Sequence, residues 1–215
     1  MAMTPEVPEP ENTASDGVEA AAQEAYRLAD YEAVANIALG AYGNELYSFV
    51  LGRLHRNAGP ADEVFSEFTE DFWRGLPQFQ WRCSLRAWSY KLARSACSRY
   101  WRAAHNRADR RAPVSVGALV DQIAQEARST TQLHLRTEVK DKIRQLREQL
   151  STADQDLLTL RVDRGLSWRE VAFALYGQDD PMTEDEVRRD EAALRQRFVE
   201  VKRHIKKLAA AAGLL

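Results

Sequence analysis

Cysteine is almost absent: Cys83 and Cys97 are the two among 215 residues. They lie within one short stretch, with no second pair to complete a zinc site, so free thiols and no metal centre are expected. No run approaches the roughly 20 apolar residues of a membrane span. The N-terminus is acidic and carries Pro5, Pro8 and Pro10 instead of a basic, apolar leader, which points to a cytoplasmic chain with no membrane partner. A glycine-rich phosphate loop is also lacking, and His55, His105, His134 and His204 are scattered without partners. These absences argue against an enzyme and imply no cofactor.

What is present is charge, unevenly placed. The formal net charge is only −2, yet the first 72 residues hold fourteen acidic side chains against Arg27, Arg53 and Arg56, a net of −11. Trp73 to Arg111 reverses this with ten basic residues against Asp109, a net of +9. Such a polarised chain can meet a basic and an acidic partner together.

In that basic stretch aromatic and cationic side chains alternate, which is the composition that holds a single nucleic-acid strand: rings stack on bases and cations neutralise phosphates. A helix projected from Ser84 places Leu85, Trp88, Leu92, Ala93, Ala96 and Tyr100 on a core side. Tyr90, Arg94 and Trp101 fall opposite, with Arg86, Lys91 and Cys97 at the margins. Two readings fit that second face: a strand-binding surface, or outer aromatics that cover a neighbouring helix.

The periodicity elsewhere is helical throughout, which predicts an all-α chain. Residues 1–20 read as a disordered acidic tail, with too few large apolar groups to offset the entropy of ordering. From Ala20 to about Arg56 a helical stripe of Tyr31, Val34, Ile37, Ala38 and Tyr42 is expected, interrupted at Gly43-Asn44 and resumed by Leu46, Phe49, Val50 and Leu54. Pro60 then opens a helix with Val64, Phe65, Phe68 and Phe72 on one face and Asp62, Glu63, Ser66, Glu67, Thr69 and Glu70 on the other. That acidic face is either merely solvated or suited to a basic protein partner.

Residues 112–131 read as a flexible linker, with one short apolar patch at Ala118 to Ala124. A charged helix follows to Leu150. Ser151 to Asp154, Ser167 to Glu170 and Thr183 to Glu186 each offer an N-cap with an acidic third position, so three further helices are predicted. Two capped short helices in tandem suggest a helix-turn-helix. On the last helix Leu194, Phe198, Val201, Ile205 and Leu208 form an inward stripe, while Arg195, Gln196, Val199, Lys202, Arg203 and Lys206 point away. That outward set suits a major-groove reader: Arg and Gln for base edges, an aliphatic contact for a thymine methyl, cations for phosphates.

The constellation resembles the extracytoplasmic-function (ECF) sigma factors of bacterial RNA polymerase. The resemblance rests on Asp62-Glu-Val-Phe-Ser-Glu67, Phe72-Trp73, Leu76-Pro-Gln-Phe79 and Ser84-Leu-Arg-Ala-Trp-Ser-Tyr-Lys-Leu-Ala-Arg94, and then on Leu158-Thr-Leu-Arg-Val-Asp-Arg-Gly-Leu-Ser-Trp-Arg-Glu-Val-Ala172. It implies two small helical domains, a promoter-melting bundle at 21–111 and a helix-turn-helix domain at 132–215, joined by the linker. The partners it implies are the core polymerase, through its beta-prime coiled coil and beta flap, and promoter DNA; an anti-sigma protein or a Ser/Thr kinase would be the regulator. By position, Asp62, Glu63, Ser66 and Glu67 would dock on the coiled coil. Phe79, Trp81, Arg82, Arg86, Tyr90, Arg94 and Trp101 would take the minus-10 element, and Arg195, Gln196, Val199, Lys202, Arg203 and Lys206 the minus-35 element. Two departures stand out. Ser66 replaces the family's usual Gln, which makes Ser66 and Thr69 candidate phosphorylation sites, since added phosphate would strengthen an acidic docking face. The Gly177 to Asp190 segment is longer than the family's usual turn. The rival readings are a stand-alone helix-turn-helix regulator, against which the aromatic unit argues, and an RNA-binding helical protein.

Overall fold

The computed structural model describes residues 13–104, 122–123, 125–126, 138–177 and 183–213. Among these every regular element is helical. In chain order they are α1 (Thr13–Arg27), α2 (Tyr31–Arg53), α3 (Ala58–Gly75), α4 (Leu85–Ala104), α5 (Glu138–Glu148), α6 (Thr152–Leu158), α7 (Trp168–Tyr176) and α8 (Glu184–Ala211). A 3₁₀ turn at Leu76–Gln78 follows α3, and a π-helical turn at Thr159–Asp163 follows α6. Residues 1–12, most of the expected linker with Arg107, Arg110 and Arg111, and residues 178–182 lie outside the described residues.

The N-terminal region departs from the sequence reading in two places. Thr13 to Ala20, expected within a disordered tail, belongs to α1, because Ala22 is buried and Val18, Ala25 and Tyr26 pack on the core. The stretch then breaks at Leu28–Asp30, where Ala29 takes φ +56° and the Asp30 carboxylate accepts from the Ala33 N–H at 2.9 Å to cap α2. Through Gly43-Asn44, by contrast, α2 continues unbroken. The glycine there serves close approach: a Cβ on Gly43 would lie 2.6 Å from Ile123 Cδ1, so a residue of the expected linker seats on α2. Ile123 is buried.

Burial on several sides explains why α2 is apolar around much of its circumference. It packs on α1, α3 and α4. Tyr47 meets Phe65 edge-on at 5.3 Å, and Phe65, Phe68, Phe72 and Trp88 continue the aromatic core. Gly75 ends α3 where a Cβ would sit 2.9 Å from the Trp88 ring.

The three expected caps are all present. Ser151 accepts from the Asp154 N–H, and Ser167/Glu170 and Thr183/Glu186 form complete capping boxes. Gly165, at φ +65°, turns the chain between the π-helical turn and α7. The halves expected as separate domains share one hydrophobic core, since Leu157, Leu160, Leu166, Val171, Leu175 and Leu194 are continuous with the residues buried by α2, α3 and α4. The seam is α7 laid on α4.

Candidate nucleic-acid interface

Helix α4 starts from a crowded N-terminus. Ser84 Oγ accepts from the Ala87 N–H at 3.1 Å, and the Glu19 carboxylate of α1 accepts from the Leu85 and Arg86 N–H groups at 2.8 and 3.0 Å. Burial raises the Glu19 pKa, and these backbone donors oppose that rise. Ser84 Oγ also donates to Glu170 of α7 at 2.7 Å, so one carboxylate serves both the α7 capping box and the contact between halves.

The loop before α4 is anchored by aromatics. Phe79, expected to capture a base, is buried and stacked on Trp88 at 4.7 Å. Trp81 adopts φ +53°, an uncommon conformation for a large side chain, and packs against Phe79 and Tyr26. The Tyr26 hydroxyl donates to the Phe79 carbonyl at 2.8 Å and lies 3.3 Å from that of Pro77. Thus α1 fixes the loop. Arg82 is exposed, and Trp81 is half-buried.

The helix itself is rotated from the projected orientation, with its buried sector turned toward Arg86, Tyr90 and Cys97. Tyr90 is fully buried, edge-on to Phe49 of α2 at 5.2 Å, and burial with the nearby Glu45 charge raises its hydroxyl pKa. The expected outward position fails because α2 covers that sector while α7 covers the next one. Arg86 is also withdrawn: its guanidinium makes a bidentate pair with Glu45 at 2.7 and 2.8 Å. Burial lowers the Arg86 pKa, but the Glu45 hydrogen bonds and charge outweigh it and leave a net rise. Arg99 pairs with Asp71. The stretch that is nearly all cationic in sequence is therefore partly neutralised in space.

Arg94 and Trp101 remain at the surface in different ways. Trp101 is 44% exposed and meets His55 edge-on. Arg94 is half-buried, with Nε 3.4 Å from Asp156 and Nη1 donating to the Leu175 carbonyl at 2.9 Å. Asp156 also accepts from Arg53 of α2. Arg53, Asp156, Glu45, Glu19 and Tyr26 carry structural roles that sequence reading had not singled out. An acid set before the leucines of α6 was the one available signal.

On α3, Asp62, Glu63, Ser66 and Glu67 are half-exposed, and Asp62 accepts from the Tyr47 hydroxyl at 2.6 Å. Thr69 is buried and its hydroxyl donates to the Ser66 carbonyl at 2.8 Å, which removes it as a phosphorylation candidate. On α8, Arg195, Gln196, Val199, Lys202, Arg203 and Lys206 are all exposed along one side. Arg195 pairs with Glu191 at 3.1 Å, and the Lys202 ammonium lies over Phe198.

Residues 39–107, spanning α2, α3 and α4, match the family model described as Sigma-70 region 2. Over that stretch, about a third of the sequence, the chain is similar to the sigma-70 family. No curated protein and no solved structure gave a significant match. The matched segment includes the basic helix, its loop and the acidic face of α3, and it supports a sigma-factor role in transcription initiation. Among the described residues no helix is long and apolar enough to cross a membrane.

Proposed function

We propose that the chain is an ECF-type sigma factor that brings core polymerase to specific promoters. The observation carrying this reading is the pairing of a matched region 2 with a second helical unit whose last helix exposes an Arg, Gln and Lys set on one side. In this reading 21–111 acts as the melting domain, 112–131 as the connection and 132–215 as the helix-turn-helix domain.

The division of labour follows from burial. Trp81, Arg82, Arg94 and Trp101 are the groups that meet the minus-10 strand. Phe79, Arg86 and Tyr90 act beneath them, as anchors that hold the loop and α4 in place. Stacking becomes available only once bases leave the duplex, so Trp101 assists opening more than initial binding. Asp62, Glu63, Ser66 and Glu67 form the docking face for a basic coiled coil, where the exposed part of Ser66 can accept a phosphate. Arg195, Gln196 and Val199 address base edges of the minus-35 duplex, while Lys202, Arg203 and Lys206 neutralise phosphates.

Permanganate footprinting of promoter thymines tests this reading. Core polymerase with the wild-type chain should make thymines near the start site reactive. Trp101→Ala should slow that reactivity by about tenfold while leaving duplex binding nearly intact, as expected for stacking worth about 1 to 3 kcal/mol. Equal opening by both proteins would remove the strand-binding assignment.

A further inference from the structure

Asp156 lies at the seam between the two halves, 3% exposed, and one of its carboxylate oxygens faces two guanidiniums, Arg53 of α2 and Arg94 of α4. The local charge is one acid against two cations. The Nε atoms of both arginines are buried and make no hydrogen bond among the described residues. Arg53 and Asp156 line a cleft of about 580 Å³, walled also by Phe49, His55, Ser98, Trp101 and Gln155, and Arg94 meets it through Asp156. That size is within the roughly 300 to 1,000 Å³ of ordinary ligand clefts. Two guanidiniums held at one carboxylate, next to an exposed tryptophan, are an arrangement that a nucleotide unit can take over: its phosphate takes the arginines and its base stacks on the ring.

We infer that Arg53 and Arg94 form a phosphate seat for single-stranded DNA, and that Asp156 fills the seat in the free chain as a stand-in for the phosphodiester. The inference deepens the sigma reading and rests on it for the identity of the strand. A phosphodiester carries the same single negative charge as the carboxylate, so exchange leaves the local charge unchanged. Its two free oxygens can serve both guanidiniums. The strand and the C-terminal half therefore compete for one face of α4. Binding of the strand requires release of the contacts made by Glu170 to Ser84 and by Arg94 to the Leu175 carbonyl. Core polymerase, by holding the two halves apart, favours the DNA-bound arrangement.

The test uses the full chain with dyes on Glu32→Cys in α2 and Lys207→Cys in α8, both exposed positions, while Cys97 is buried and Cys83 half-buried. Energy transfer and anisotropy are read with a labelled oligothymidylate of twelve nucleotides at about 100 mM salt, near physiological screening. Asp156→Asn should lower transfer without DNA and tighten oligothymidylate binding about tenfold. Adding Arg53→Ala to Asp156→Asn should abolish that gain. An Asp156→Asn chain that opens but binds DNA no better would overturn the proposal, leaving Asp156 as a simple tie between halves. So would a double variant that keeps the gain. If Asp156→Asn fails to fold by circular dichroism, the wild-type chain decides: transfer must fall as oligothymidylate is added, and constant transfer contradicts exchange. Transcription with core polymerase is scored separately, so a chain that shows exchange yet directs no transcript has lost the sigma reading and kept the seat.

Discussion

At the scale of the residue, burial decides which aromatic and cationic groups support the fold and which are free to act. Tyr90 fills space against Phe49, whereas Trp101 projects from the same helix. Tyr90→Ala should cost about 3 to 5 kcal/mol in urea unfolding, the range for emptying a large aromatic site. Trp101→Ala should cost about 1 kcal/mol or less, as a surface change. The thiols supply a second prediction. Burial pushes the Cys83 pKa up to about 12 and that of Cys97 to about 11, from an ordinary 9.0. Above pH 9 the unfolded chain loses these protons while the folded chain keeps them, so stability is intact below that pH and declines as pH rises toward the folded values. Burial also pushes Tyr42 up, from 10.0 to about 12, which adds to the decline above pH 10. The urea midpoint should fall steadily between pH 9 and 11, less steeply in Cys97→Ala. A flat midpoint would contradict the burial of these groups.

At the scale of the element, the unforeseen parts are the start of α1 before Ala20 and its bracing of the loop that precedes the basic helix. Tyr26→Phe removes a hydroxyl that holds the Phe79 carbonyl, a net loss of about 1 kcal/mol. Faster amide exchange confined to the loop around Trp81 is expected, with little change in global stability; unchanged loop exchange would deny α1 that role. The caps at Ser151, Ser167 and Thr183 and the stripe on α8 were legible because each depends on neighbours three or four residues apart. The first turns of α1, Thr13 to Ala20, were hidden by their small and polar composition, and Glu19 and Tyr26 take partners from Pro77, Phe79, Leu85 and Arg86, more than fifty residues on. Gly43-Asn44 misled for a similar reason: the glycine answers to Ile123, not to a local turn. A helical projection can rank the sectors of α4, but it cannot say that α2 and α7 both lie against it. Tyr90 and Arg86 were misplaced on that account.

At the scale of the whole molecule, an acidic N-terminal region and a basic helix are folded around a core that also takes in α6, α7 and α8. The charge asymmetry of the sequence survives as an acidic face on α3 and exposed cations at the end of α4 and along α8, although Glu45, Asp71 and Asp156 neutralise part of it internally. An arrangement in which the second half shields α4 fits a chain that reads promoters only with polymerase. Transcription from genomic fragments by purified core polymerase, with and without the chain, measures this most directly. Discrete transcripts should arise from a small set of start sites only when the chain is present, and the isolated chain should show no tight, sequence-specific grip on the same promoters. Tight promoter binding by the free chain, with no transcript dependent on it, would contradict the account.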